Sequence, residues 1–400
     1  MALTNAHNTY GSVSKTLHWL TVALILTLIP LGIIANDMPF ATGEELSRKA
    51  FVFSIHKTLG VTAFFAALAR VAWMLSQPKP APLHPERRLE TFAAETVHWT
   101  LYGTLLLVPL SGWIHHAATT GFAPIWWPFG QSLPFVPKSD TLAHTFASLH
   151  IIFERVLVIA LVLHVAGALK HRFFDRDLTL QRMLPGATAA APATPAKPHG
   201  PALPLLGAAG AFAAALAVGA GLGLFAHDDA APLPQAELAE VASDWTVEDG
   251  TLSITVTQLG APVTGTFEDW TAAIAYDPDS RTGDVTVTVA IPSLTLGSVT
   301  SQALGAEFFA ADTHPTATFA AEITGTDAGH TAEGTLTLKG STVPVTLPFT
   351  LNITDGLARM TGETQVARLD FGIGTAYPDE TSVGFTVTIA VDLTARSTAP

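Results

Sequence analysis

Residues 147–169 read ASLHIIFERVLVIALVLHVAGAL, an apolar stretch that carries two histidines, His150 and His164, fourteen positions apart. Fourteen helical residues at ~100° each come within about 40° of four whole turns and rise ~21 Å. Both imidazoles therefore share one helix face, at opposite leaflets of a hydrocarbon layer ~30 Å thick. Two sites, one stacked above the other, follow from that spacing.

Working outward, residues 17–35, 51–75 and 97–114 are also long and apolar enough to cross a bilayer, with 149–169 as the fourth such segment. A fifth, 203–226, is Ala/Gly-rich and uncharged, so five membrane helices are expected. The first begins too far into a polar start, and lacks a small-residue cleavage site, to read as a removed signal peptide. Positive charge sets the orientation: Lys15, Lys79, Arg87, Arg88, Lys170, Arg172, Arg176, Arg182 and Lys197 fall in loops on one side, Arg48, Lys49 and Lys138 on the other. The N-terminus is thus expected in the cytoplasm and everything after the fifth helix outside, which in a bacterium is the periplasm. Trp73, Trp113, Trp126 and Trp127 lie near segment ends, where headgroup-level anchoring is expected.

Histidine inside a membrane needs a reason. With this topology His18 and His164 lie toward the cytoplasmic side and His56 and His150 toward the outer side. Pairing His18 with His164 and His56 with His150 would give each of two haem irons two imidazoles from different helices. No coordination position is then left open, which suits electron transfer rather than oxygen binding. Gly32 follows His18 by fourteen residues, and Gly60 and Gly167 lie close to His56 and His164, so a flat macrocycle has room; close helix packing explains the same glycines. Arg70 follows His56 by fourteen, where it can meet a haem propionate or serve as a snorkelling inside charge. His98-Trp99 repeats the His18-Trp19 pattern, so His98 competes with His18 as a ligand, or else contacts a propionate or caps the helix. His115 and His116 read as interfacial polar residues or an adventitious metal site, and Lys57 and Arg155 as interface anchors or attractors of an anionic substrate.

Composition divides the 400 residues in two. Residues 1–226 carry fifteen Lys and Arg against ten Asp and Glu, a net of +5; residues 227–400 carry five against twenty-three, a net of −18. The acidic half argues against nucleic acid as a partner. With no cysteine, the chain forms no disulfide, thiolate metal site, cysteine-ligated iron–sulfur cluster or covalent c-type haem attachment.

The motifs KTLHW (15–19), SIHKTLG (54–60), PLSGW (109–113), LHVAGALKHRFF (163–174) and RDLTLQRMLP (176–185) make residues 10–185 resemble the bacterial di-haem cytochrome b561 family. The resemblance implies two haem b groups held by His18, His56, His150 and His164, with electron exchange to the membrane quinone pool. Some members are described as oxidising superoxide at the outer face and reducing ubiquinone, so that activity is an implication of the family. The fifth helix and all that follows depart from the simple four-helix member.

Residues 185–201, PGATAAAPATPAKPHGP, form a Pro/Ala segment unable to bury a core, and a cytoplasmic linker is expected over 186–202. His199 within it is incidental. From Trp245 onward the period is two: TLSITVTQL (251–259), DVTVTVAI (284–291) and SVGFTVTIAVDL (382–393) alternate apolar and polar residues as half-buried strands do. About eight to ten strands broken by Gly, Asp and Pro turns favour a closed antiparallel barrel over 236–397, with one helical insert at 301–309. Such a barrel either fills with side chains or encloses one small apolar ligand.

FF (308–309), HPTATF (314–319), GTLTLKGSTVPV (334–345) and RLDFGI (368–373) make this half resemble the YceI family of periplasmic lipocalin-like barrels, whose members bind polyprenyl chains, including isoprenoid quinones. Gln258 stands where that family usually has a histidine before Leu-Gly. Phe308, Phe309 and Phe371 are candidate ligand contacts that core packing explains better, and Arg368 with Asp370 forms an ion pair or a barrel-end contact, with a ligand role as the alternative.

The expected fold is an all-α transmembrane four-helix haem bundle with one extra transmembrane helix, followed by an all-β antiparallel lipocalin-like barrel. The expected function is electron transfer in a bacterial inner membrane between quinone and a periplasmic donor or acceptor, in its sharper form superoxide:ubiquinone oxidation–reduction, with ubiquinone or another isoprenoid lipid in the barrel. Two alternatives stay open: a membrane-anchored isoprenoid carrier whose haems are not catalytic, and a haem b subunit relaying electrons for a separate dehydrogenase.

Overall fold

The computed structural model describes residues 2–6, 8–84, 86–119, 122–186, 200–226, 238, 243–327 and 329–398. The expected linker at 186–202, with His199, lies almost wholly outside these residues, as does most of the approach to the barrel. The chain divides into two compact units, one built on Met1–Asp37, Val52–Thr119 and Pro124–His227, the other on Met38–Phe51, Thr120–Ala123 and Asp228–Pro400.

The first unit is helical: α1 (Ser12–Asp37), α2 (Gly43–Ser76, whose start up to Phe51 is counted with the other unit), α3 (Arg88–Ala118), α4 (Asp140–Lys170) and α5 (Ala202–Gly221). The Ser139 side chain caps α4 by accepting from the Leu142 amide, and Asp140 places negative charge on its positive dipole end. At its other end α4 runs into a π turn, His171–Asp175, that stops at Arg176 in the left-handed region. Large side chains such as Leu26, Ile33, Ile159, Val162 and Leu163 are exposed, the inverse of a water-soluble bundle and the surface expected against lipid.

Four helices are long and apolar enough to cross a membrane: α1, α2, α4 with its π turn, and α5. The expected third span, 97–114, is a helix of sufficient length, since α3 has 31 residues, but it is not among those four. Its polar residues Thr100, Thr104 and Ser111 are buried, and it packs along α4 and α5, so neighbouring helices rather than composition shield it from lipid. The fifth helix stops at Gly221, short of the expected residue 226, in a glycine-rich run where Gly223 turns to positive φ. It approaches α3 and α4 through small residues: a methyl group on Gly103 would stand 2.9 Å from the Phe212 ring, and one on Gly219 would overlap Ile152.

Ile25, Ala67, Leu105 and Leu157, one from each of α1 to α4, form a buried cluster. Ile25 lies seven residues from both His18 and Gly32, and Leu157 seven from both His150 and His164. An apolar layer thus sits midway between the two histidine levels.

The second unit holds β1 (Trp245–Gln258), β2 (Ala261–Phe267), β3 (Trp270–Asp277), β4 (Thr282–Ala290), β5 (Leu294–Thr295), β6 (Thr316–Thr326), β7 (Gly329–Leu338), β8 (Ser341–Thr354), β9 (Leu357–Ala367) and β10 (Val383–Ser397). They form one antiparallel sheet in the order β3-β4-β6-β7-β8-β9-β10-β1-β2-β5. Three hairpins turn on two residues each, Leu259-Gly260, Lys339-Gly340 and Asp355-Gly356, all at positive φ, the primed turn whose twist matches the flanking strands. The sheet curls on itself rather than closing through an unbroken ladder. The curl brings β3, one end of the sheet, against the start of β1, where Asp244 donates from its amide to Ile274 O (2.9 Å) and Trp245 Nε1 donates to Tyr276 O (3.0 Å). The expected helical insert at 301–309 shrinks to five residues, α6 (Thr300–Leu304), because Gly305 leaves the helix in extended backbone.

Candidate functional sites

At one level of the bundle the rings of His18 (α1) and His164 (α4) stand 6.2 Å apart, centroid to centroid. Metal–imidazole bonds of about 2.0–2.1 Å, with roughly 1.1 Å from nitrogen to ring centre, put two imidazoles on opposite sides of one metal at about 6.3 Å. His18 and His164 have that separation. His98 of α3 is 5.1 Å from His164, too close for the two to face each other across a metal, and it packs ring edge against ring instead. The sequence left His98 and His18 as competitors, and the geometry favours His18.

Arg70 Nη2 lies 3.0 Å from His18 Nδ1. Arginine only donates, so Nδ1 accepts here and the ring proton sits on Nε2. Ligation through Nε2 therefore needs the proton to move to Nδ1 and Arg70 to release it. The Tyr102 ring, 5.6 Å from the guanidinium, offers Arg70 a second partner.

At the other level His150 Nδ1 donates to Val108 O at 2.8 Å, which leaves the Nε2 lone pair free, the tautomer a metal ligand requires. His56 Nδ1 is buried without a hydrogen-bond partner of normal geometry. Glycine makes room for both rings. A methyl group on Gly32 would stand 2.9 Å from His56 Cε1, and one on Gly112 would stand 2.9 Å from His150 Nδ1. Gly32 thus lets the His56 ring pack directly against the α1 backbone. Gly112 was quoted in a motif without a role, and only its contact with His150 reveals one. Methyl groups on Gly60 and Gly167 would meet no atom within 4 Å. The paired histidine donors at both levels, the ring spacing of His18 and His164 and the glycine cradles of His56 and His150 fit haem iron.

Of the tryptophans expected at headgroup level, Trp113 is buried and packs 5.0 Å from Trp127, beside Phe64 and Phe65. Trp73 donates to Ser14 Oγ (3.1 Å). Lys57 is buried, whereas Arg155 is exposed and pairs with Glu154 (3.0 Å). His115 Nδ1 donates to Ala143 O at 2.7 Å, and its ring lies 4.5 Å from that of His116, so the pair packs against helix backbone. Asp177 of the closing RDLTLQRMLP motif and Asp175 just before it tie the helix ends together: Asp177 accepts from His171 (2.7 Å) and His84 (3.2 Å), and Asp175 pairs with Arg87 and Lys170 (3.0 Å each).

Inside the curled sheet lies a cavity of about 280 Å³. Inward residues of β1, β4 and β10, among them Leu252, Ile254, Val287 and Ile389, give it a wall of hydrocarbon. Phe308, Phe309 and Phe371 all line it; Phe371 is also fully buried, so the ligand-contact and core readings describe the same side chains. Arg368 does not turn to Asp370. Its five N–H groups go to the carbonyls of Ile373, Gly374, Tyr377, Val383 and Gly384 at 2.5–3.1 Å, a barrel-end contact.

A bundle with two histidine levels joined to a curled sheet with an apolar interior defines a membrane cytochrome b class of protein carrying a lipocalin-like domain. Residues 9–186 match the prokaryotic cytochrome b561 family model and residues 245–395 match the YceI-like domain model, so the chain joins a cytochrome b561 region to a YceI-like domain. Cytochrome b561 homolog 2 of Escherichia coli (strain K12) is 29% identical over 188 residues, 46% of this chain and 95% of the relative. The Probable superoxide oxidase CybB of Yersinia pestis is 23% identical over 180 residues, 45% of this chain and 97% of that protein. Among solved structures, Burkholderia cenocepacia BcnA is 28% identical and covers 36% of this chain and 95% of its own, with a TM-score of 0.35. A Campylobacter jejuni YCEI protein is 21% identical, covering 33% and 84%, with a TM-score of 0.32.

Proposed function

We propose that the protein is a di-haem b-type cytochrome of a bacterial inner membrane that transfers electrons between the quinone pool and a donor or acceptor at the outer face, and that its barrel holds an isoprenoid lipid or quinone. The observation that carries this reading is the 6.2 Å spacing of the His18 and His164 rings, matched to two imidazoles about one metal. When bound by His18 with His164 and by His56 with His150, haem b supplies one-electron exchange.

The chain's own residues set the conditions for that exchange. Val108 O holds the His150 tautomer. The layer of Ile25, Ala67, Leu105 and Leu157 excludes water between the two levels and keeps the local dielectric low. Arg70, once released from His18, is placed to neutralise a propionate. On the outer side Lys57, next to His56 in the chain, and the exposed Arg155 are the cationic groups available to attract a small anion such as superoxide. The Yersinia pestis relative is described as a probable superoxide oxidase, which makes superoxide:ubiquinone oxidation–reduction the sharper form of the proposal. The barrel, carried on the same chain, keeps an isoprenoid ligand at high effective concentration for its redox partner.

The test is haem b per chain in the full-length protein purified in mild detergent, followed by superoxide-driven reduction with ubiquinone as acceptor. Two haems, and turnover that stops in His56→Ala and His150→Ala, are expected. A haem-free protein would leave an anchored lipid carrier, and two haems without superoxide-dependent turnover would leave a relay for a separate dehydrogenase.

A further inference from the structure

The few polar groups in the hydrocarbon wall of the barrel cavity restrict what it can hold. Trp245 donates to Tyr276 O (3.0 Å), the Tyr276 hydroxyl meets His330 Nε2 (2.9 Å), Gln302 donates to the Tyr377 hydroxyl (3.2 Å), and Thr364 donates to Thr346 O (2.8 Å). Arg368, the one charged side chain among the described residues of the wall, has five N–H groups and spends all of them on five carbonyls. An anionic head drawn to Arg368 would have to take its donors away from these carbonyls, with which the buried guanidinium is saturated.

Gln258 is different. It lines the cavity at the end of β1, paired in register with Val383, is 5% exposed, and its Oε1 is buried with no hydrogen-bond partner. An amide held in hydrocarbon without a partner is costly, and this one belongs to a residue of the cavity wall. A hydroxyl both donates and accepts, so it satisfies this amide whichever way its oxygen and nitrogen are turned.

Resting on the reading that the barrel holds a lipid, we infer that its ligand is an apolar chain ending in a small uncharged head with a hydroxyl, seated on the Gln258 amide, and that chains ending in phosphate are rejected. The head sits at the Gln258 end of β1. The chain extends toward Trp245, which lines the cavity at the strand's other end.

The test titrates the delipidated full-length protein, in mild detergent, with three fifteen-carbon isoprenoids: farnesol, farnesyl diphosphate and the headless hydrocarbon farnesane. Occupancy is read by native mass spectrometry. One farnesol per chain is expected, with farnesyl diphosphate at least about tenfold weaker, since its charge has no free donor to meet. Gln258→Leu should weaken farnesol roughly two- to tenfold, the range of one hydrogen bond, and leave farnesane as tight or tighter. Gln258→Met, unbranched and close to glutamine in shape, repeats the comparison if the leucine variant fails to fold. Diphosphate binding as tight as farnesol, or unchanged farnesol affinity in both variants, overturns the inference. Farnesane binding as well as farnesol overturns it while leaving the lipid-binding reading intact, whereas binding of none of the three overturns both.

Discussion

Alanine at position 32 would place a methyl carbon 2.9 Å from His56 Cε1 and 3.3 Å from its Nδ1. Carbon atoms rest at about 3.5–4.0 Å, so the imidazole must retreat by at least ~0.6 Å. Overpacking of this kind costs about 1–3 kcal/mol, while replacing a mid-helix glycine by alanine returns about 1 kcal/mol. The net change, within ~2 kcal/mol, leaves the bundle folded. Ligation is less forgiving, because the ring that moves is the proposed iron ligand. Gly32→Ala is therefore expected to lose or misligate the haem at the His56–His150 level alone. Gly112→Ala should do the same by pressing on His150 Nδ1 from 2.9 Å. Gly210→Ala, on α5 with nothing within 4 Å of the added methyl, controls for the helix preference. The assay is haem b per chain with a reduced-minus-oxidised spectrum and a redox titration of each variant. Haem content should fall by half in the first two and stay at the wild-type value in the third. Gly32→Ala with full haem and unshifted midpoint potentials would refute the assignment of His56 as a ligand cradled by α1.

Three other outcomes follow from the same structure. His18→Ala should remove one haem and His98→Ala should keep both, because His98 lies only 5.1 Å from His164; the reverse result in the haem assay would exchange their roles. Arg368→Met takes the guanidinium donors from five carbonyls, of which Gly374 O keeps the Tyr377 amide, and at about 1–3 kcal/mol for a buried group left unsatisfied the cost is at least ~3 kcal/mol; an unchanged barrel melting transition by near-UV circular dichroism would contradict this. Burial, then the nearby Arg281, holds His330 below its ordinary value, so the unfolded chain takes up the proton first as pH falls. Its contribution to barrel stability is present above the unfolded value near 6.5 and is lost as pH drops from there toward the lowered folded value. His330→Gln should flatten that part of the stability-against-pH curve, and an identical slope in the variant would rule out His330 as its source.

Much of the architecture was legible because membranes and sheets impose strict periods. The fourteen-residue interval in α4 placed two histidines on one face, and the period-two runs in β1, β4 and β10 announced strands with one apolar side. Less legible was whatever depends on neighbours. Residues 97–114 carry enough polar groups that their place in the bundle rests on α4 and α5 covering Thr100, Thr104 and Ser111. Trp113 reads as an interfacial anchor from its position near a segment end, yet Phe64, Phe65 and Trp127 enclose it. Helix ends also escaped: glycines stopped α5 at Gly221 and α6 at Leu304, earlier than apolarity alone suggested.

The sequence by itself determined the two-part organisation, the histidine levels and the alternation of the barrel strands, since these follow from local spacing and from the chain's own apolar periodicity. Tertiary structure alone decided that His18 rather than His98 stands at ligand distance from His164, that Gly112 cradles His150, and that Arg368 is saturated by carbonyls while Gln258 is not. Each of these is a relation between side chains brought together from different helices or strands. Periodicity says which way a residue points along its own element, and only packing says what it meets there.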